Sequence, residues 1–191
     1  MPILPAEPDL YPDDLLDLPE QEMPQSLAGS KWWGLYTLPR REKQLMRQLR
    51  ALGVPFYAPV ISRRTRSPQG RVRTSHVPLF ASYVFLYGTE ESRTQALTTN
   101  CVSRCLPVAD TERLTRDLKQ IHRLIAAEAA LTPEARLEPG MRVRVKSGSL
   151  AGLEGVVVER RGEERLLVAV EFLQQGVSVQ LDDFLVERTD L

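Results

Sequence analysis

The feature that most restricts this chain is a change of period near residue 135. A helical pattern is broken by Thr132-Pro133-Glu134, the break closes at Pro139-Gly140, and the residues beyond Gly140 lose the helical spacing. MRVRVKSG, GLEGVVVER, ERLLVAVEFL, GVSVQL and FLVERTDL are five short strand-like runs separated by Gly-bearing turns, the pattern of a small all-β barrel. An SH3-like barrel is therefore predicted over 139–191, with 131–138 as a linker. The residues before the break have a different texture. A chain of 191 residues accordingly divides into two small domains.

The charge divides the same way. Lys plus Arg equals Asp plus Glu, 25 of each, yet residues 1–30 carry seven acids and no Lys or Arg, residues 31–130 carry 17 basic against 7 acidic groups, and residues 131–191 carry 8 against 11. Only the middle block is cationic, with a net charge of +10. Six of the 14 prolines lie in the first thirty residues among the carboxylates, a composition that disfavours helix and strand alike. Residues 1–30 are expected to be a disordered acidic tail, in which DLYPDDLLDL is the one stretch with the Leu and Tyr content of a short partner motif.

The middle block, 31–130, reads as an α+β sandwich. KWWGLYTL is rich in β-favouring types, and alternation puts Trp32, Gly34, Tyr36 and Leu38 on one face and Trp33, Leu35 and Thr37 on the other, so both faces are apolar and the strand is central. Leu45, Met46, Leu49 and Leu52 recur at helical spacing and Gly53 follows, which predicts an amphipathic helix with a basic outer side. VPFYAPVIS reads as an edge strand because of its prolines, and RRTRSPQGRVRT as a basic hairpin tip turning at Ser67-Pro68-Gln69-Gly70. VPLFASYVFLYG is the return strand. A helix over Glu90–Thr98, a strand near Val102–Val108 and a helix over Thr111–Ala130 complete the unit.

Several classes drop out. No stretch approaches the roughly 18–20 uncharged apolar residues of a membrane span, and the acidic start lacks the basic and apolar regions of a signal peptide, so the protein is expected to be cytoplasmic. Cys101 and Cys105 are too few for a disulfide framework, and with only His76 and His122 no four-ligand metal set is expected. The two thiols read as buried and reduced, with a redox pair as the minor alternative. His122, on the last helix near Leu118 and Ile125, reads as ordinary packing or surface. Ser75 and His76 are neighbours on one strand, so they point to opposite faces and form no hydrolytic pair. No phosphate-binding or dinucleotide loop is present. Neither an enzyme nor a cofactor is expected, and binding is what remains.

By its motifs the chain resembles the NusG family of transcription elongation factors, with their specialised RfaH-like relatives. KWWGLYTLPRREKQL, VPFYAPV and VPLFASYVFL are similar to that family's N-terminal (NGN) domain, and PGMRVRVKSGSLAGLEGVVV is similar to its KOW barrel, so the resemblance covers 31–191. Two departures stand out: Ala81-Ser82 where the family usually has Pro-Gly or Pro-Asn, and Gly148-Ser149-Leu150 where it often has Gly-Pro-Phe. The tail and these departures lean towards a specialised paralog.

The resemblance implies a monomeric factor whose N-terminal domain grips the coiled-coil clamp helices of the largest RNA polymerase subunit and suppresses pausing or termination, while the barrel recruits Rho or a small-subunit ribosomal protein. It assigns the polymerase surface to Tyr36, Phe80, Tyr83, Phe85 and Val102, with Tyr36, Tyr83 and Phe85 expected to point outward, and a second contact to Ser92, Arg93 and Thr94. Arg40, Arg41, Arg47 and Arg50 on the first helix and Arg63, Arg64, Arg66, Arg71 and Arg73 around the hairpin have the guanidinium chemistry for upstream or non-template DNA. Gly148, Gly152 and Gly155 are expected to serve the barrel's turns. The competing class is a KOW-containing ribosomal or RNA-binding protein, which would need stacking aromatics beside arginines on one sheet face.

Overall fold

A computed structural model describes residues 7–17, 29–66, 70–136, 140–160, 162–181 and 186–189. The chain divides into two units, Met1–Thr111 and Glu112–Leu191. The architecture is α+β with antiparallel sheets throughout. Residues 67–69 of the expected 67–70 turn, and residues 18–28 and 137–139, lie outside the described residues.

The first unit contains β1 (Leu10–Tyr11), β2 (Lys31–Thr37), α1 (Glu42–Ala51), β3 (Phe56–Tyr57), β4 (Val60–Arg66), β5 (Val72–Pro78), β6 (Tyr83–Gly88), α2 (Glu90–Thr98) and β7 (Val102–Pro107). Five of these strands form one sheet in the order β1-β3-β6-β2-β7, and β4 and β5 form a separate two-stranded ribbon. β2 pairs with β6 on one side and β7 on the other, so the strand with two apolar faces is central, as its alternation predicted. One face buries Trp33, Leu35, Val84 and Leu86 with Leu45, Met46 and Leu49 of α1 and Ala96 of α2. Three of the four residues in the stripe that helical spacing predicted are in it, and the fourth, Leu52, is the exposed C-cap. Thr89 begins α2 as an N-cap, its side chain accepting from the Ser92 N–H.

Part of the tail is not disordered. β1 pairs antiparallel with β3, Leu10 opposite Tyr57 and Tyr11 opposite Phe56, while Leu10, Leu15 and Leu16 are buried. The N–H of Ala58 donates to the Asp9 carbonyl at 2.7 Å and that of Val60 to the Asp9 carboxylate at 3.1 Å. The average composition of thirty residues concealed a short segment with enough leucine to dock. As a consequence the segment read as an edge strand is covered: its Phe56–Tyr57 part lies between β1 and β6, and Val60 onward continues into the ribbon.

The second unit holds α3 (Thr111–Ala126), which begins at the last residue of the first, then β8 (Thr132–Glu134), β9 (Met141–Val145), β10 (Glu154–Arg160), β11 (Glu163–Val170), a one-turn 3-10 helix at Glu171–Leu173, β12 (Gln175–Gln180) and β13 (Val186–Arg188). They make a six-stranded sheet in the order β13-β9-β10-β11-β12-β8. All five strand-like runs are strands. The segment read as linker contributes a sixth, because Thr132–Glu134 pairs with Ser178–Gly176 of β12 and Glu134 accepts from the Ser178 hydroxyl, which in turn accepts from Arg165.

Along α3, three polar side chains contact backbone groups of the second unit. Gln120 accepts from the Glu154 N–H, Arg123 donates to the Ala151 carbonyl at 2.5 Å, and Asp117 accepts from the Glu171 N–H at 3.0 Å. Periodicity shows that a helix has an apolar face and says nothing of where its polar face finds partners.

Two outcomes test this packing. Leu16→Ala should lower the stability of the N-terminal unit by about 2–4 kcal/mol, measured by denaturant unfolding, because it deletes a buried leucine side chain; no loss would mean the segment is not docked. Burial raises the Asp117 carboxyl to about 6, against the opposing pull of the Glu171 N–H and Arg113. The folded state therefore binds more protons than the unfolded one between roughly pH 4 and 6, and this group's contribution to stability falls as the pH rises through that window. Asp117→Asn keeps an oxygen for Glu171 and should raise the melting temperature by a few degrees at pH 7 and leave it unchanged at pH 4.

Candidate functional site

The candidate site is a row of side chains crossing the first sheet. Tyr83 of β6, Tyr36 of β2 and Arg104 of β7 are directly opposite one another, so all three leave the same face. The two rings meet edge to face with centroids 5.2 Å apart. Tyr36 is 38% exposed and Tyr83 half-buried. In the next row on that face are Phe85, Gly34 and Leu106, and Leu106 is exposed, as is Leu38 just past the end of β2. An aromatic pair bordered by exposed leucines and one guanidinium is a surface chemically suited to an amphipathic partner.

The turn before β6 sets the position of Tyr83. Ser82 has a φ of 63°, the left-handed region in which glycine is favoured, at the position where the sequence departs from the family's usual residue. The Glu42 carboxylate accepts from the Ser82 N–H at 2.9 Å, and the Ser82 carbonyl accepts from the Thr37 N–H at 2.8 Å. A carboxylate at the start of α1 thus holds the turn between the two tyrosine-bearing strands.

Three residues of the expected surface are elsewhere. Phe85 is fully buried and Phe80 nearly so, the two packed edge to face at 6.4 Å. Gly34 is opposite Phe85, and alternation alone does not reveal that this ring is buried. Val102 is on the opposite face, packed against the α1 core, because the β2–β7 register shifts between Tyr36 and Thr37. Tyr36 faces Arg104 but Thr37 faces Val102, so Ser103 is the extra residue of a bulge. Without it, Val102 would share the face of Arg104 and Leu106. Sequence reasoning missed those last two, although they alternate with the half-buried Cys105.

Ser92, Arg93 and Thr94 are on α2, which contributes Ala96 to the core of the other face. They are therefore separated from the tyrosine row by the sheet. Arg93 is engaged: its Nε is 2.5 Å from Glu90, and its guanidinium stands 5.5 Å from the Trp33 ring centre. Thr94 donates to the Glu90 carbonyl, and Ser92 packs where any Cβ at Gly88 would sit. Both cysteines are free; Cys101 is buried beside Gln48, and burial raises the Cys105 thiol despite nearby Arg93.

The arginines fall into two states. On α1, Arg47 makes a two-pronged ion pair with Glu7 at 2.8 and 2.9 Å, which holds the Glu7 carboxyl below its usual range. Arg50 lies 5.7 Å from the Tyr11 ring centre. Arg41 pairs with Gln44 in its own turn, and Arg40 sits exposed with a φ of 62°. On the ribbon, Arg63, Arg64 and Arg66 are exposed. The register puts Arg64 and Arg66 opposite Thr74 and Val72 on one face and Arg63 opposite Ser75 on the other, so the three are not one cluster. In the second unit Gly148 and Gly152 have φ of 86° and 82°, and a Cβ at Gly155 would meet the Leu167 carbonyl at 2.5 Å, so these three positions serve the backbone.

Among the described residues no group of three or more His, Cys, Asp or Glu is placed to hold a metal ion, and no helix is long and apolar enough to cross a membrane. The tyrosine row is an exposed aromatic patch on an α+β scaffold. Residues 30–126 match the family model described as transcription termination factor NusG, and the chain belongs to the NusG family of transcription factors. No curated protein matches it.

Stability separates the surface residues from the buried ones. Tyr36→Ala should cost about 1 kcal/mol, the order of an exposed edge-to-face pair, whereas Phe85→Ala should cost about 3–5 kcal/mol by emptying a core position. Equal losses in urea unfolding would contradict the face assignment.

Proposed function

We propose that this protein is an elongation or antitermination factor that binds RNA polymerase through the Tyr36–Tyr83 surface of its N-terminal unit, disfavours paused or terminating states, and recruits a second factor through its C-terminal sheet. The observation that carries the reading is the exposed tyrosine pair, bordered by Leu38 and Leu106, on a domain of this family. Such a surface accepts a helical partner by burying aromatic anchors, which supports the clamp helices of the largest subunit as occupant. Binding that favours one conformation of the polymerase over another is sufficient for the effect, with no chemistry required.

The other contacts extend the same reading. Ser92, Arg93 and Thr94, on the far side of the sheet, suit a second contact with polymerase, and the exposed ribbon arginines suit upstream or non-template DNA. The C-terminal unit, a KOW-like domain, would take Rho or a small-subunit ribosomal protein, and the whole factor would act as a cytoplasmic monomer. A second reading, an RNA-binding protein, has one observation in its favour: Arg104 stands beside Tyr36 and Tyr83 in one row, the aromatic-plus-arginine arrangement on which bases stack.

Tyr36→Ala with Tyr83→Ala decides between them. Each truncation should cost polymerase binding about 2 kcal/mol, roughly 30-fold, in a pull-down with purified polymerase, while the melting temperature stays within a few degrees of the parent. Retained polymerase binding together with lost binding to a structured RNA would replace the first reading by the second.

A further inference from the structure

The acidic N-terminal segment lies against the basic side of α1 in an arrangement that copies a nucleotide. The Glu7 carboxylate offers two oxygens to the Arg47 fork, with Lys43 also exerting its charge on it, as a phosphate would. Four residues on, the Tyr11 ring lies near the Arg50 guanidinium and stacks on Phe56, as a base would. The two ends of the segment are held differently. Leu10, Leu15 and Leu16 are buried and β1 is paired into the sheet, whereas the Glu7–Arg47 pair is an exposed one, with the Arg47 side chain 65% accessible. A cleft of about 350 Å³ lies between the start of the segment and α1, lined by Glu7, Pro8, Met46, Arg47 and Arg50. The apolar end is a firm anchor. The charged end is a weak contact, since exposed ion pairs contribute little in water.

We propose that the Glu7 end of this segment is a built-in competitor of nucleic acid for α1: a phosphate must displace Glu7 to reach Arg47, while the leucine anchor keeps the displaced arm at hand. This rests on the reading that the arginines contact nucleic acid. It assigns them distinct roles, the exposed Arg63, Arg64 and Arg66 of the ribbon meeting nucleic acid first and Arg47 only after displacement.

The test is fluorescence anisotropy of the full chain with a labelled single-stranded DNA of mixed sequence over a range of salt. Glu7→Gln removes the charge and leaves every buried leucine in place. It should tighten binding about two- to fivefold, the equivalent of an exposed ion pair, and steepen the log-log salt slope by about 0.7, one added phosphate contact on a single strand. Arg47→Ala alone should change little, and combined with Glu7→Gln it should return both values to those of the parent. A gain that persists in the Glu7→Gln, Arg47→Ala double variant would be a general charge effect and overturns the proposal. So does an unchanged affinity for Glu7→Gln where the Arg63→Ala, Arg64→Ala, Arg66→Ala variant weakens binding; the nucleic-acid reading then stands alone. If neither the parent nor Glu7→Gln binds DNA, the nucleic-acid reading fails and the competitor falls with it.

Discussion

The N-terminal unit depends on the register of β2 between β6 and β7. With Trp33 opposite Leu86 and Gly34 opposite Phe85, two kinds of row alternate across the sheet. Tyr11, Phe56, Leu86 and Trp33 form one, and Leu10, Tyr57, Phe85, Gly34 and Leu106 the next. A slip of one residue would turn Leu35 outward and Tyr36 into the α1 core, reversing every side chain of the strand. The slip is opposed from both ends. At one, the Trp33 indole donates to the Gly88 carbonyl at 3.1 Å; at the other, Glu42 and Thr37 hold the Ser82 turn. The surface proposed to meet polymerase is a consequence of that register, since the same alternation that buries Trp33 and Leu35 exposes Tyr36.

Much of this was legible from the residues. The two apolar faces of KWWGLYTL place the strand centrally because only a central strand buries both, and the α1 stripe of Leu45, Met46 and Leu49 follows from helical spacing alone. The runs after Pro139 mark five strands because turn residues punctuate them. The illegible parts share one cause: they depend on residues distant in sequence. Phe85 and Tyr83 have the same parity, and the sequence does not say which of them is buried among its neighbours across the sheet. Val102 is turned to the core by a bulge at Ser103, and a bulge is a property of a strand pair, invisible in either strand. The partners of Gln120, Arg123 and Asp117 on α3, similarly, are backbone groups at Glu154, Ala151 and Glu171.

The N-terminal segment shows how a sheet edge alters the meaning of a composition. Acids and prolines resist a helix or strand that must stand alone. A strand of two residues added to an existing edge needs little propensity of its own, because β3 supplies the hydrogen-bonding partners and the leucines supply the burial. The gain to the sheet is reciprocal: β3 would otherwise present an unpaired edge, which natural sheets cover or blunt. DLYPDDLL combines both functions in a few residues, with leucines for the core and carboxylates for the surface and the backbone.

Formal charge therefore overstates how cationic the middle block is to an approaching partner. Its net charge of +10 includes Arg47, whose charge is met by Glu7 from outside the block. The ribbon differs in kind. Arg63, Arg64 and Arg66 are exposed on a two-stranded element, and Val72, opposite Arg66, is 62% exposed, so few apolar contacts hold these strands against the body. Long cationic side chains on such a ribbon retain their rotamer freedom and lose it only on meeting a ligand, whereas the α1 arginines are ordered by a carboxylate and a ring of their own chain. The two groups should thus differ in how they respond to salt: added ions screen the exposed ribbon directly, but at α1 they weaken both the external contact and the internal pair that opposes it. The acidic segment would in this way make the helix less sensitive to ionic strength than its sequence of arginines implies.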